Sequence, residues 1–235
     1  MKLVILNKKT LYLIIGIIIL LALILSTYIY FSKTQDVFTP EVYYKGIKED
    51  KTIAFACNID WGNEYIPQML EIFKTNNISI TFFPTGKWAE KNIDLLESIN
   101  NAGHEIGNHG YNHIDYDKIT FEKNKEEILK SHIIIKDIIK TNPIYFAPPS
   151  GAFNDNTIKA AQELNYKVIL WSIDTIDWRK DSTRYLIVQR IKEKLHESAI
   201  VLMHPTAETV KALPEIIEYL FQNGYKIGTI SDVIK

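Results

Sequence analysis

The chain has 235 residues, 46% of them hydrophobic and 23% charged, with a net charge of −1. That length supports one good-sized globular domain, and a near-neutral balance, with lysines interleaved by glutamates as in FEKNKEEILKSH, excludes a basic field for nucleic acid. The lone cysteine, Cys57, excludes an internal disulfide and fits a reducing compartment, or an exported bacterial protein that avoids thiols.

The uncharged run LYLIIGIIILLALILSTYIYF, residues 11–31, is long enough to cross a bilayer and reads as a transmembrane anchor. Residues 1–10 carry Lys2, Lys8 and Lys9 with no acid and read as a cytoplasmic tail, so the chain beyond the anchor is expected outside the membrane. STYIYFSKTQD lacks a small-x-small cleavage site, which favours a single-pass uncleaved anchor over a removed signal peptide. Residues 32–50 are polar, show no strong period and read as a linker; residues 51–235 read as the globular domain.

From Thr52 onward short apolar runs alternate with amphipathic segments. TIAFACNI predicts a buried strand, NEYIPQMLEIFKTNN a helix, ISITFFPTG a strand, and KWAEKNIDLLESINNAG one helix closed by Gly103. HEIGNHG predicts a short strand, FEKNKEEILKSHIIIKDIIKT a long helix, IYFAPPSG a strand, and NDNTIKAAQELNY a helix with an Asn or Asp cap. KVILWSIDTIDW reads as one strand, RYLIVQRIKEKLHES as a helix, AIVLMHP as a strand, TAETVKALPEIIEYLFQNG as a helix and YKIGTISDVI as the last strand.

This alternation implies an α/β fold with parallel strands joined by crossover helices. Asp60, His109, Pro148, Asp177 and His204 each fall at the C-terminal end of a different expected strand. Barrel strands bring those ends to one rim, whereas an open sheet gathers mainly the groups at its switch point. The expectation is therefore an irregular (β/α)7 barrel of seven strands behind one N-terminal transmembrane helix.

His109 and His113, in HGYNH, stand four residues apart, which suits two ligands of one metal, although a solvated turn would show the same spacing. A catalytic zinc site needs a third protein ligand and an open position; Asp60, in CNIDWGNE, is the candidate, and a His₂Asp set suits zinc and tolerates cobalt. His204 is either a strand-end histidine capped by backbone or a general acid, with Asp177 as the carboxylate that keeps its imidazole protonated. Trp178 either packs or walls a small apolar pocket with Leu202. In FAPPSGAFN the prolines Pro148 and Pro149 stiffen the turn before Ser150 and Gly151, either as a plain rigid turn or to hold an N–H against a developing oxyanion. His104, His132, His196 and Cys57 read as structural.

With these residues assembled, the chain resembles the polysaccharide deacetylase family, carbohydrate esterase family 4, and within it the membrane-anchored sporulation-type branch. The likeness runs over residues 50–235 and rests on TFFPTGKWAEKN, GHEIGNHGYNH, APPSGAFN, DTIDW and IVLMHP in that order. The resemblance implies a distorted barrel, a divalent metal (usually zinc) and hydrolytic removal of acetyl groups from N-acetylated sugars of peptidoglycan or a chitin-like polymer. It implies metal ligands at Asp60, His109 and His113, a general acid at His204 tuned by Asp177, an acetyl-methyl pocket at Trp178 and Leu202, and substrate contacts at Pro149 and Ser150, with the Ser150 backbone on the oxyanion.

Two departures stand out. The family carries a catalytic-base aspartate just before the metal-binding one, where this chain reads Asn58-Ile59-Asp60, and it carries a base-orienting arginine where this chain has Ala147. An arginine beside a neutral Asn58 would have no ion-pair partner, so the two losses are physically coupled. The other register makes Asp60 the base and leaves the histidines with a water-completed site. Two functions are open on these residues: a metal-dependent deacetylase of cell-wall glycan, or a catalytically weak glycan-binding barrel with a structural role at the envelope or spore surface. No Gly-rich loop supports phosphate chemistry.

Overall fold

The computed structural model describes residues 7–33, 42–48 and 50–234, in two units, Met1–Pro40 and Glu41–Lys235. In the first unit, helix α1 (Lys8–Lys33) is the one helix among the described residues that is long and apolar enough to cross a membrane. Residues 1–6 of the expected tail, and residues 34–41 and 49 of the expected linker, lie outside the described residues.

The second unit begins earlier than expected. Strand β1 (Val42–Tyr43) pairs in parallel with residues 168–169, and the Gly46 and Ile47 amides donate to the Ser198 and Val233 carbonyls at 2.7 and 2.9 Å. The expected linker 32–50 therefore runs into the domain, because Val42 and Tyr43 carry the apolar side chains that a sheet edge needs.

Strand β2 (Thr52–Ile59) coincides with the expected strand and is buried at every residue but its first, as a strand covered on both faces must be. Helix α2 (Ile66–Thr75) buries Ile66, Met69 and Phe73, a stripe at helical spacing. Strand β3 (Thr81–Pro84) comes next. The helix expected after it is two, α3 (Gly86–Lys91) and α4 (Ile93–Asn101), because Asn92 leaves the helical region at φ −134°, ψ 46°. Its amide is diverted, donating to the Trp88 carbonyl at 2.7 Å and accepting from Asn63 at 2.6 Å.

After β4 (Glu105–Ile106), helix α5 (Phe121–Ile139) starts on the Thr120 hydroxyl and stops at Lys140 in the left-handed region. Strand β5 (Tyr145–Phe146) precedes α6 (Asp155–Glu163), which opens on a reciprocal Asn154–Thr157 capping box. The expected strand 167–178 is two: β6 (Lys167–Ile169) pairs with β1 and β5, and β7 (Ile173–Asp174) pairs with β8 (Ile200–Met203). Helix α7 (Arg184–Lys194) lies between β7 and β8, and α8 (Ala207–Gln222) comes after β8. The last expected strand is β9 (Lys226–Gly228) turning into a short helix, α9 (Ile230–Ile234). Thr229 and Asp232 cap that helix reciprocally: the Thr229 amide donates to Asp232 Oδ2 at 2.8 Å and the Asp232 amide to Thr229 Oγ1 at 3.3 Å.

The strands form two parallel sheets, β1-β6-β5 and β4-β3-β2-β8-β7, with β9 on β2. Asn108 joins the sheets on one side, its amide donating to the Tyr145 carbonyl and its carbonyl accepting from Ala147. On the other side the chain itself passes from β6 to β7. The two sheets together make an irregular α/β barrel. One apolar cluster, with Ala54, Phe83, Tyr145, Ile200, Ile230 and Val233, packs β-strand residues against α9, and a second packs α2, α4, α5, α7 and α8 against the strands.

Candidate active site

The C-terminal ends of the strands open into a cleft of about 430 Å³ lined by Asn58, Asp60, Trp61, His109, His113, Ser150, Trp171, Asp174, Trp178, Leu202 and His204. Of the expected site residues, eight line it directly. Asp177 lies behind His204, and Pro149 is buried in the turn Pro149–Gly151 without lining the cleft.

Past β4, Asn108 is wholly buried and shapes the histidine loop: its Oδ1 accepts from the Gly110 amide at 2.8 Å, while its Nδ2 donates to the Ile128 carbonyl and the Tyr166 hydroxyl, both at 3.0 Å. His109 is 1% exposed, and its Nδ1 lies 2.7 Å from the Ala147 carbonyl. A carbonyl only accepts, so Nδ1 carries the proton and Nε2 keeps its lone pair. Burial, then the neighbouring His113 and His204, lowers the His109 pKa to about 3 against the opposing pull of the Ala147 carbonyl. His113 stands beside it, ring centroids 5.3 Å apart and planes 70° apart. Its loop is anchored by Glu127, a 2% exposed carboxylate that accepts from the Asn112 amide at 2.8 Å and from the Asn112 side chain.

Asp60 lies just past β2 and accepts from the Thr85 hydroxyl at 2.7 Å. The two imidazoles fit a divalent ion: one is held neutral with Nε2 open, which is how metal-bound histidines are usually prepared. Asp60 shares their cleft, but among the described residues no three His, Cys, Asp or Glu side chains draw together into a closed set of ligands.

Opposite, His204 Nδ1 lies 2.8 Å from Asp177 Oδ1, and Asp177 Oδ2 accepts from the His204 amide at 2.7 Å and the Thr209 hydroxyl at 2.6 Å. A 4% exposed carboxylate with these donors is fully engaged and fixes the ring. Trp61 lies parallel to His204, centroids 6.1 Å apart and planes 4° apart. Its approach requires Gly62, at φ +85°, where a Cβ would sit 2.1 Å from the Pro205 carbonyl.

Asn58 is 5% exposed, lines the cleft, and its buried Oδ1 has no hydrogen-bond partner. Ser150, at φ 57°, and Gly151, at φ 66°, form the opposite lip, with a Cβ on Gly151 set to meet the Trp171 ring at 2.7 Å. Trp178 is 55% exposed and Leu202 nearly buried. Trp61, Trp171 and Asp174 are cleft residues that sequence reasoning passed over. Trp61 adjoins Asp60, and Trp171 and Asp174 lie in the expected strand that turned out to be two.

The polysaccharide deacetylase family model matches residues 45–169. The chain belongs to the polysaccharide deacetylase family. It is similar to YlxY of Bacillus subtilis, 39% identical over 195 residues that cover 83% of this chain; this chain spans only 61% of the length of YlxY. It is 28% identical to the peptidoglycan-N-acetylmuramic acid deacetylase PdaA of Bacillus subtilis over 199 residues, 83% of this chain and 75% of that protein. Among solved structures it resembles a carbohydrate esterase family 4 pseudoenzyme from Bacillus anthracis, with TM-score 0.82 and 36% identity over 84% of this chain and 70% of that one. A mutant of that pseudoenzyme, described as having restored enzymatic activity, matches with the same TM-score at 35% identity, over 84% of this chain and 72% of the mutant.

Proposed function

We propose that this chain acts on the N-acetylated sugars of a cell-wall glycan, from the outer side of a membrane in which α1 anchors it, and removes their acetyl groups slowly. His109 and His113, with Asp60, would hold a divalent ion, zinc by donor type and cobalt as a substitute. Bound there, such an ion polarises an acetamide carbonyl and acidifies water. His204 would act as the imidazolium, its Nδ1–H held by Asp177 and its Nε2 proton given to the leaving amine. Trp178 and Leu202 receive the acetyl methyl, and the backbone at Ser150 faces the developing oxyanion. Asn58 occupies the base position and accepts no proton. It can orient water but not deprotonate it, a deficit of about 10²- to 10⁴-fold in rate.

The observation that carries this reading is the His204–Asp177 pair in the same cleft as the paired imidazoles of His109 and His113. A second reading, glycan binding without turnover, is favoured by the neutral Asn58 side chain, whose buried Oδ1 is unpartnered, and by the likeness to a pseudoenzyme. The test is acetate release by the full chain in detergent, with zinc or cobalt, from N-acetylglucosamine oligomers and from peptidoglycan. Release that disappears in His113→Ala supports the deacetylase. Glycan binding with acetate at background supports the binding protein.

A further inference from the structure

Beside the cleft runs a second groove of about 490 Å³ that shares Asp60 and His113 with it. The two differ in chemistry. The first is walled by indoles, whereas the second is walled by the amides of Asn63, Asn92 and Asn112 and by Lys87 and Lys91, one turn apart on α3.

Most of the polar wall is already spent. Asn63 Oδ1 accepts from Trp88 Nε1 at 2.6 Å, and its Nδ2 donates to Asn92. The Asn112 Nδ2 is taken by Glu127, and Asp60 Oδ1 accepts from Thr85. Glu90, the acid on the same helix, accepts from the Tyr111 hydroxyl. The two exposed ammonium groups stay available, neither paired with a carboxylate among the described residues, beside the second oxygen of Asp60 and the His113 ring that the groove shares with the cleft. Positions four apart on a helix present both charges to one side, here over a hydrogen-bonded floor of amides that also holds the Asp60 carboxylate, so the two cations outnumber the one anion lining the groove. An amide floor with two free cations suits an anionic group attached to a polar chain.

We infer that this groove binds a carboxylate of the glycan while the neighbouring acetamido group lies in the cleft, so that Lys87 and Lys91 select anionic over neutral N-acetylated glycans. The inference rests on the glycan-directed reading of the cleft. The carboxylate can come from the lactyl ether of a muramic unit or from a peptide attached to it.

Binding of the full chain in detergent is measured by calorimetry against three ligands: the neutral N-acetylglucosamine tetramer, a peptide-free tetramer alternating with muramic units, and the same tetramer carrying peptides. The readout is the ratio of affinities for charged over neutral ligand, in the native chain and in the double variant Lys87→Ala, Lys91→Ala. The expected native ratio is about three- to tenfold for one or both charged ligands, shrinking with added salt, and near unity in the variant. Whichever charged ligand gains identifies the source of the carboxylate. Lys91→Arg, which keeps the charge, retains most of the ratio. A native ratio of one, or a ratio undiminished in the double variant, overturns the inference and leaves the glycan-directed cleft standing. If no ligand binds the native chain, the reading of the cleft falls, and this inference with it.

Discussion

The double substitution Asn58→Asp with Ala147→Arg tests whether this cleft lacks only its base. Asn58 is 5% exposed and its Oδ1 has no partner, so an aspartate there would be a buried carboxylate with its pKa raised by burial, nearer to that of a useful base. Alone it would also be an unpaired buried charge. An arginine at position 147 supplies the counter-charge, but Ala147 is 4% exposed and packs in the cluster of Phe83 and Tyr145, so the larger side chain costs about 1–3 kcal/mol in packing. The pair should therefore lower the unfolding midpoint modestly while raising turnover by about 10²- to 10⁴-fold. Acetate release from N-acetylglucosamine oligomers, with zinc present, measures the gain, and adding His113→Ala should remove it. A double variant that folds and still binds glycan but turns over no faster than the native chain refutes the placement of Asn58 in the base position.

The same geometry sets other outcomes. His113→Ala should weaken zinc uptake by at least about tenfold, as seen by calorimetry, because one of the two imidazoles is lost; unchanged uptake would exclude this pair as ligands. Asp177→Asn should cost about 1–3 kcal/mol in stability by urea unfolding, since the His204 amide and ring and the Thr209 hydroxyl all point their donors at that carboxylate; acetate release should fall with it. Gly151→Ala should destabilise by about 1–3 kcal/mol and shift the tryptophan fluorescence, because the position sits at φ +66° and the added carbon strikes Trp171. Burial holds His104 at a pKa of about 4, below its unfolded value, so the unfolded chain takes up more protons. Stability from His104 is full above about pH 6.5 and drains by up to about 3 kcal/mol as pH falls toward 4. Urea midpoints measured across that interval for the native chain and His104→Asn should converge as pH falls, and parallel curves would contradict the assignment.

How far the sequence reaches is clearest at particular residues. The alternation of buried runs and amphipathic stretches is enough to expect an α/β barrel, because central strands such as β2 are covered on both faces and read as continuous apolar sequence. It fails where local hydrogen bonding competes with periodicity. Asn92 breaks a helix by spending its amide on Trp88 and Asn63, and Thr229 with Asp232 caps a helix inside an apparently strand-like run. It fails again at residues 170–172, where one apolar stretch serves two sheets. The paired histidines and the His204–Asp177 contact were legible because they lie at expected strand ends. Trp61 and Trp171 were not, since nothing in a lone tryptophan distinguishes a cleft wall from a core. The groove beside the cleft was invisible for a related reason: it is assembled from residues 60–63, 87–92 and 112–114, which only the fold brings together.

The contact between Gly151 and Trp171 ties the lip that carries Ser150 to the chain passing from one sheet to the other. Neither can be redrawn alone. A longer or bulkier turn after β5 would push the indole and with it the stretch between β6 and β7, so ligand preference on that side of the cleft should change through paired replacements in two distant segments, with single exchanges at either one penalised.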